Sequence, residues 1–368
     1  MHKKTFRFRI YPTKHQLTLL GSILEECRWV FNKTLATRKK SWEEKRESLS
    51  KYDTHGLLTI WKKERPTLKN VHSQVLQNTQ ERVDLAFKAF FRRVKTGEKP
   101  GYPRFRGADR YNSFCYPQSG FKVKDKLIHL SKIGDVKIVL HRPIEGKVKT
   151  CTVRRAASGK WYIAFVCEVE IAPLPQNEEQ IGIDIGLKSL VFLSSGESVP
   201  APKFFRKDES DLVRVQCRQS KNKTPQDRHA ITLIHERIAS RRNNFSHQLS
   251  RRLVNQFGVI AVEDIKSSRM LHNHCLAKSI SDAAWGDFLN KLSYKAEYAG
   301  RQFVKVNPAY TSQDCSRCGH RQLLSLSDRI YNCPCCGLSM DRDMNASLNI
   351  LSRGRATLGI QSVEAAPL

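Results

Sequence analysis

The chain has 368 residues, with 64 Lys+Arg against 35 Asp+Glu for a formal net charge of +29, and 40% of its residues are hydrophobic. The apolar fraction suits two or three folded domains and excludes wholesale disorder, while a charge far above the roughly 2 to 8 of an ordinary small soluble domain points to nucleic acid and disfavours a small-molecule enzyme. No run of about 18 apolar residues exists, so no membrane span is expected, and MHKKTFRFRI lacks an apolar signal core, so a cytoplasmic location is expected.

In chain order, residues 5–11 (TFRFRIY) alternate apolar and basic, as a half-exposed strand does. Pro12 ends that strand, and Thr13 with Gln16 makes a capping-box signature. Leu17, Leu20, Leu24, Cys27, Phe31 and Leu35 then recur at helical spacing, predicting an amphipathic helix to about Lys45. A second helix is expected from about His72 to Val94, with Leu76, Val83, Phe87, Phe90 and Val94 on one face. Its polar side carries Gln74, Gln77, Asn78, Arg82, Arg92 and Arg93. Most of such a face is ordinarily just solvated, but Gln and Asn pair with adenine edges, so a subset are candidate base readers. Residues 95–117, dense in Gly, Pro, Arg and aromatics, read as a turn-rich linker. There Arg104 and Arg106 would grip phosphates, and rings could stack on bases. From 121 to 171 the pattern turns to short strands with basic outward positions, predicting a small β-barrel or curled sheet into which the helices are inserted. Residues 1–150 hold 34 Lys+Arg against 14 Asp+Glu, which marks this part as the principal phosphate-binding surface.

After a linker at 173–180, residues 181–199 read as two strands joined by a short turn, with Asp184 inside the first. A carboxylate in an apolar strand is costly unless something compensates it, yet alone it fits a structural reading as well as a functional one. Residues 229–254 predict a helix buried through Ile231, Ile234, Ile238, Phe245, Leu249 and Leu253, on which Arg241 and Arg242 are candidate contacts to a nucleic-acid backbone. The compact strand 258–264 ends in Glu263 and Asp264, repeating the oddity of Asp184. Of 11 cysteines, five crowd into 315–336. Cys315 with Cys318 and Cys333 with Cys336 form two C-x2-C knuckles separated by 14 residues, the pattern of a closed four-thiolate structural zinc site; Cys335 is left over. Gly319 and Gly337 follow the knuckles and permit their tight turns. DRDMNASLNI (341–350) opens a helix, and Asp343 taken alone is better read as its cap. Together, Asp184, Glu263 and Asp343 supply the hard oxygen donors that two divalent ions need for phosphodiester hydrolysis.

These residues carry a resemblance over nearly the whole chain. ECRWVFNKTL (26–35), AFKAFFRRVKTG (86–97), GYPRFR (101–106), GIDIGLKSL (182–190), LAKSISDAAWGDF (276–288), NPAYTSQDCSRCGH (307–320) and CPCCG with DRDMNASLNI resemble the TnpB (OrfB) family, transposon-encoded RNA-guided nucleases related to type V CRISPR effectors. The resemblance implies an α/β protein with a β-barrel: a wedge-like barrel (1–12 and 95–175) with a helical recognition insertion (13–94). A RuvC-like nuclease domain of RNase H topology (176–307 and 338–352) would follow, interrupted by a zinc ribbon (308–337), and 353–368 would be an unstructured tail. It implies Asp184, Glu263 and Asp343, rather than Asp341, as the catalytic trio on two Mg²⁺, and structural zinc on Cys315, Cys318, Cys333 and Cys336. The implied partners are a guide RNA from the transposon end and double-stranded target DNA, with one protein per RNA favoured and no membrane. The implied activity is Mg-dependent cutting of both DNA strands after guide pairing and recognition of an adjacent motif. A catalytically silent binder of the same fold, acting as a repressor, and a strand-transferring transposase are the alternatives. One departure from the family pattern is the segment 216–230, which is only moderately basic here.

Overall fold

The computed structural model describes residues 2–266, 270–325 and 328–360. The chain divides into two compact units, one reaching Glu170 and the other starting at Ile171, each built on its own sheet.

The first unit holds β1 (His2–Tyr11), β2 (Ser113–Tyr116), β3 (Phe121–Lys124), β4 (Leu127–Leu130), β5 (Gly134–Val139), β6 (Lys147–Arg155) and β7 (Trp161–Val169). They form one antiparallel sheet in the order β2-β6-β7-β1-β5-β4-β3. Its two edge strands, β2 and β3, are consecutive in the chain with only residues 117–120 between them, so the sheet has to curl until its edges nearly meet. The Tyr116 and Phe121 rings face each other at 6.4 Å at that seam, and the Tyr116 hydroxyl donates to the Ser131 carbonyl at 2.9 Å. Inside lie Phe6, Phe8 and Ile10 of β1 opposite Phe165, Ile163 and Trp161 of β7. The intervening arginines point the other way, with the Arg7 guanidinium 3.9 Å above the Tyr162 ring. The alternation in TFRFRIY is therefore the inside and outside of a nearly closed barrel.

Between β1 and β2 the chain makes α1 (Lys14–Lys45), α2 (Lys51–Glu64), a 3-10 turn (Pro66–Asn70) and α3 (Ser73–Lys95). The capping box at Thr13 and Gln16 is formed in both directions, at 3.0 and 3.3 Å. Helix α1 buries Leu20, Leu24, Cys27, Phe31 and Leu35, but Leu17 is left exposed. Helix α2 was not expected. It buries only Thr54, Leu58 and Trp61, too sparse a stripe to stand out, and its start is fixed by a second capping box between Ser50 and Asp53. On α3, Leu76, Val83 and Phe87 are buried as expected, whereas Val94 is exposed because the last turn extends past the packed face.

The second unit contains a five-stranded sheet made of β8 (Gln180–Asp184), β9 (Ser189–Leu193), β10 (Ser198–Pro200), β11 (Val259–Glu263) and β12 (Gln302–Val306). Its order is β10-β9-β8-β11-β12. The three N-terminal strands form an antiparallel meander, and β11 and β12 run parallel to β8. One core gathers strand residues Ile181, Ile183, Ile260 and Val262 with Leu249 and Leu253 of α5 (Pro225–Gln256) and Phe288, Leu292 and Ala296 of α7 (Trp285–Tyr298), numbering α4 (Phe204–Asn222) and α6 (His274–Ala283) in chain order. Another cluster joins Ala261, Val304 and Val306 to Ile350 of α8 (Arg342–Leu358). Small residues let α8 lie very close to the sheet. A Cβ added at Gly182 would stand 2.0 Å from the Ser347 carbonyl oxygen, and one at Gly354 would stand 2.5 Å from the Ala261 Cβ.

Two boundaries change here. The helix expected from 229 starts at Pro225 behind its Thr224 cap, and it is preceded by α4, which buries Leu212 and Val215 against Ile234 and Ile238 of α5. The chain also stays ordered past 352. Arg353 donates to the Asn307 and Ala309 carbonyls at 2.9 and 2.7 Å and Arg355 to Gln180 Oε1 at 2.7 Å, so α8 continues until left-handed Gly359 closes it. The end of the expected tail, from 361, lies outside the described residues. No described helix is long and apolar enough to cross a membrane.

Candidate active site and cysteine cluster

Asp184 and Glu263 are the last residues of neighbouring parallel strands. The register pairs Ile183 with Val262, so the next step sets the two carboxylates side by side, on strands about 4.8 Å apart. Their side chains share the face of Gly182 and Ala261, where α8 packs. Asp343 enters from the first turn of that helix. The helix is capped by Asp341, whose carboxylate oxygen accepts from the backbone N–H groups of Asp343 and Met344 at 2.8 and 3.2 Å. With capping done by Asp341, the Asp343 side chain remains for the strand ends.

All three carboxyls hold their protons more tightly than usual. Burial, then the negative charges of Glu263 and Asp343, push Asp184 up to about 8. Burial raises Glu263, opposed by the hydrogen bond that the buried Thr311 hydroxyl donates to it and by the Arg353 charge. Asp343 is raised by burial and by Asp341, with Arg329, Arg342 and Lys188 pulling the other way. Such a set resists its own ionisation and gains from a cation. Beside Glu263 opens a cleft of about 850 Å³ lined by Ile185, Lys266, Trp285, Lys305 and Asn307 among others. The Trp285 indole N–H donates to the Gly186 carbonyl at 3.2 Å and so holds the turn that follows Asp184.

Cys315, Cys318, Cys333 and Cys336 come together with all ligand atoms within 4.8 Å of one another. The sulfurs of Cys315 and Cys336 are 3.6 Å apart and those of Cys318 and Cys333 3.5 Å, close to the roughly 3.8 Å edge of a tetrahedron with ~2.3 Å metal–sulfur arms. Gly319 and Gly337 have φ +73° and +69°, as the knuckle turns require. A hairpin of β13 (Ile330–Asn332) and β14 (Ser339–Asp341) frames the second knuckle, while Cys335 is exposed and outside the group. Among the described residues this is the one set of His, Cys, Asp or Glu that meets this mutual spacing.

The cluster is tied to α8. Asn345 donates to the Asp314 carbonyl at 2.8 Å and accepts from the Ser316 N–H at 2.9 Å; Asn349 donates to the Thr311 and Asp314 carbonyls at 2.8 and 2.7 Å. Thr311, Arg353, Asn345 and Asn349 escaped the sequence reading, because a neutral hydroxyl, amides and one more arginine in a basic chain carry no spacing signal.

The candidate nucleic-acid contacts divide. Gln77, Arg92 and Arg104 are exposed, and Asn78 and Arg93 are half-buried. Gln74 accepts from the Ser119 N–H and hydroxyl at 3.2 and 3.0 Å, which fixes a turn. Arg106 is exposed, but its backbone is clamped by the Asn32 amide and its guanidinium stands 5.6 Å from the centre of the Phe31 ring. The two helix arginines face inward partners: Arg242 pairs with the buried Asp282 at 3.0 Å, and Arg241 with the buried Asp208 at 3.2 Å. The acidic residues that α5 packs against set their orientation, and those residues are remote in sequence.

Comparison with known proteins gives three family-model matches. Residues 164–274 match a model described as "Probable transposase" (OrfB of IS605), 285–350 a "Cas12f1-like, TNB domain", and 1–47 a "Helix-turn-helix domain". Over 1–47 the structure has a strand and one uninterrupted helix, not two helices about a turn. A "Putative RNA-guided DNA endonuclease" of Streptomyces pristinaespiralis is 34% identical over 96% of this chain and 90% of its own. "Putative RNA-guided DNA endonuclease InsQ" of Escherichia coli is 30% identical over 96% of this chain and 93% of its own. The "CRISPR-associated endodeoxyribonuclease Cas12f1" of Sulfoacidibacillus thermotolerans is 25% identical over 90% of this chain and 92% of its own.

Proposed function

This chain belongs to the TnpB (OrfB) family, and from that premise we propose that it is an RNA-guided DNA endonuclease that hydrolyses phosphodiesters at Asp184, Glu263 and Asp343. The observation that carries the reading is the arrival of these three carboxylates, from two strand ends and a helix start, at one end of the second sheet, where burial and mutual repulsion oppose their charge. A meander of three strands followed by two parallel ones, with a helix over the acidic face, supports reading this unit as an RNase H-like, RuvC-type nuclease domain.

Asp184, Glu263 and Asp343 would hold two divalent cations, magnesium by family. A two-ion site spreads its ligands over ions about 3.5–4 Å apart, so three carboxylates from separate elements need not crowd round one ion to serve it. When bound, such ions supply an activated water and neutralise the leaving oxygen. The residues do the positioning: Thr311 orients the Glu263 carboxylate, Asp341 keeps the helix start closed so that Asp343 is available, and Trp285 steadies the turn after Asp184. The cysteine group would hold structural zinc with no open position; through Asn345 and Asn349 it fixes the helix that carries Asp343.

The barrel and its helical insertion, with most of the positive charge, would hold guide RNA and duplex DNA, one protein per RNA, with division into barrel, insertion, nuclease domain and zinc ribbon as the family implies. The test is purification from cells with sequencing of co-purified RNA, followed by cleavage of a plasmid library randomised beside the guide-matched site. Cutting next to one flanking motif, lost in Asp184→Ala with RNA retained, is expected. Retained RNA with no cutting by the unaltered chain would overturn the enzymatic part and favour a silent binder.

A further inference from the structure

A second pocket, of about 480 Å³, opens in the second unit among the turn after β8, the start of α4, the end of α6 and the segment before β13. That volume falls within the roughly 300–1,000 Å³ of ligand pockets, room for more than a bare ion. Four cations line it, Lys188, Lys203, Arg206 and Arg329. One carboxylate, Asp282, is also in its wall, but its charge is already committed. It accepts from the backbone N–H groups of Phe205 and Arg206 at 2.9 and 3.3 Å and pairs with Arg242 at 3.0 Å. Arg206 makes only a long 3.5 Å contact with Glu209, which also takes Lys278. The pocket therefore keeps a net positive wall.

Its position matters as much as its charge. Lys188 is four residues after Asp184 in the same turn, and the Arg329 carbonyl accepts from the Arg342 N–H at 2.8 Å, one residue before Asp343. The pocket thus adjoins the carboxylate end of the sheet, where the Lys188 and Arg329 charges act on Asp343, and it shares no lining residue with the cleft beside Glu263. Resting on the nuclease reading above, we infer that this pocket seats a backbone phosphate of the DNA strand being cut, adjoining the phosphate that lies over Asp184, Glu263 and Asp343. A phosphodiester repeats its charge at every nucleotide, so a strand held over the acidic trio needs positive groups at the next step, and these four are built there. Lys188, Lys203, Arg206 and Arg329 are then positioning residues that set where along the strand the cut falls.

The experiment uses the full chain carrying Asp184→Asn and a fluorescein-labelled single-stranded DNA oligonucleotide, titrated by anisotropy across a salt series. Lys203→Gln with Arg206→Gln should weaken binding about tenfold and make the log K against log salt slope shallower by about 1.4, roughly 0.7 for each cation removed. Lys203→Arg with Arg206→Lys should restore both. Arg214→Gln with Lys221→Gln, which removes two cations elsewhere on α4, should leave the slope unchanged. In a second arm, the guide-loaded chain with intact Asp184 is given targets with one neutral methylphosphonate at successive positions beside the cut. One position should slow the unaltered chain about tenfold and have no further effect on the Gln variant. An unchanged slope in the Gln variant, a loss seen with RNA of the same sequence but not with DNA, or equal slowing of both chains at every position would each overturn the proposal. A chain that cuts no target would overturn the nuclease reading and leave the binding arm to decide the pocket.

Discussion

Replacing Asp184 by Asn should make the magnesium-free protein more stable while it abolishes cutting. Asp184 is half-buried at the end of β8; removal of its carboxyl from water, then the charges of Glu263 and Asp343, push it up to about 8, whereas an aspartate in the unfolded chain titrates near 4. Between those values the folded state keeps a proton that the unfolded state has released, so wild-type stability falls as pH rises from about 4 to about 8. Asn has the same shape and no such titration. At pH 7 the gap spans roughly three pH units at about 1.4 kcal/mol each, an upper limit of about 4 kcal/mol; water entry and relaxation around a half-buried group reduce it to about 2 kcal/mol. The measurement is urea denaturation of both chains, dialysed free of magnesium, followed by tryptophan fluorescence at pH 4.5, 6 and 7.5. The advantage of Asp184→Asn should be small at pH 4.5, grow with pH, and narrow when magnesium is added. A variant no more stable than wild type at pH 7.5, or an advantage that ignores pH, would show that the three carboxyls do not burden one another as the geometry implies.

Three further outcomes are expected. Cys315→Ser with Cys318→Ser should lower zinc content from one equivalent to none by elemental analysis and reduce cutting, because α8 is anchored to the first knuckle through Asn345 and Asn349; an unchanged zinc content would refute the ligand set. Thr311→Val keeps the buried volume but removes the hydroxyl that orients Glu263, and should raise the magnesium concentration for half-maximal cutting about tenfold, a shift that a magnesium titration of the cutting rate reads directly. Gly182→Ala should destabilise the second unit by about 1–3 kcal/mol or more and disable cutting, since its methyl would meet the Ser347 carbonyl at 2.0 Å. In contrast, Gly21→Ala in α1, with nothing within 4 Å of the added Cβ, should stabilise by up to about 1 kcal/mol, both read as midpoint shifts in denaturation.

What the sequence made legible is what depends on local period and spacing. The alternation of TFRFRIY, the Thr13–Gln16 box and the 3.6-residue stripes of α1 and α3 need only near neighbours, and the structure has the helices within a residue or two of their expected ends and the strand starting three residues earlier, at His2. The cysteine spacing likewise encodes its own geometry, since each knuckle is five residues long. Helices α2 and α4 were missed because little of either is buried, and the start of α4 has no local side-chain cap: its Phe205 and Arg206 N–H groups donate to Asp282, far along the chain. The odd carboxylates of β8 and β11 drew attention singly, but nothing local relates their strands; the parallel register does. The choice of Asp343 over Asp341 came from the resemblance, and only the hydrogen bonds show why the earlier residue is occupied. Arg241 and Arg242 look like free surface charge in the sequence because Asp208 and Asp282, their partners, are 33 and 40 residues away.

The acidic face is assembled in an order fixed by translation. β8 and β11 emerge from the ribosome carrying Asp184 and Glu263, but the helix that lies across Gly182 and brings Asp343 is made some eighty residues after Glu263. On the proposed assignment, a nascent or prematurely terminated chain already exposes its basic barrel to RNA and DNA while its cutting centre is a third short. Such fragments would occupy nucleic acid without breaking it, so a nonsense change after the barrel is complete at Val169 and before residue 343 would turn a cutter into a competitor of its own full-length form.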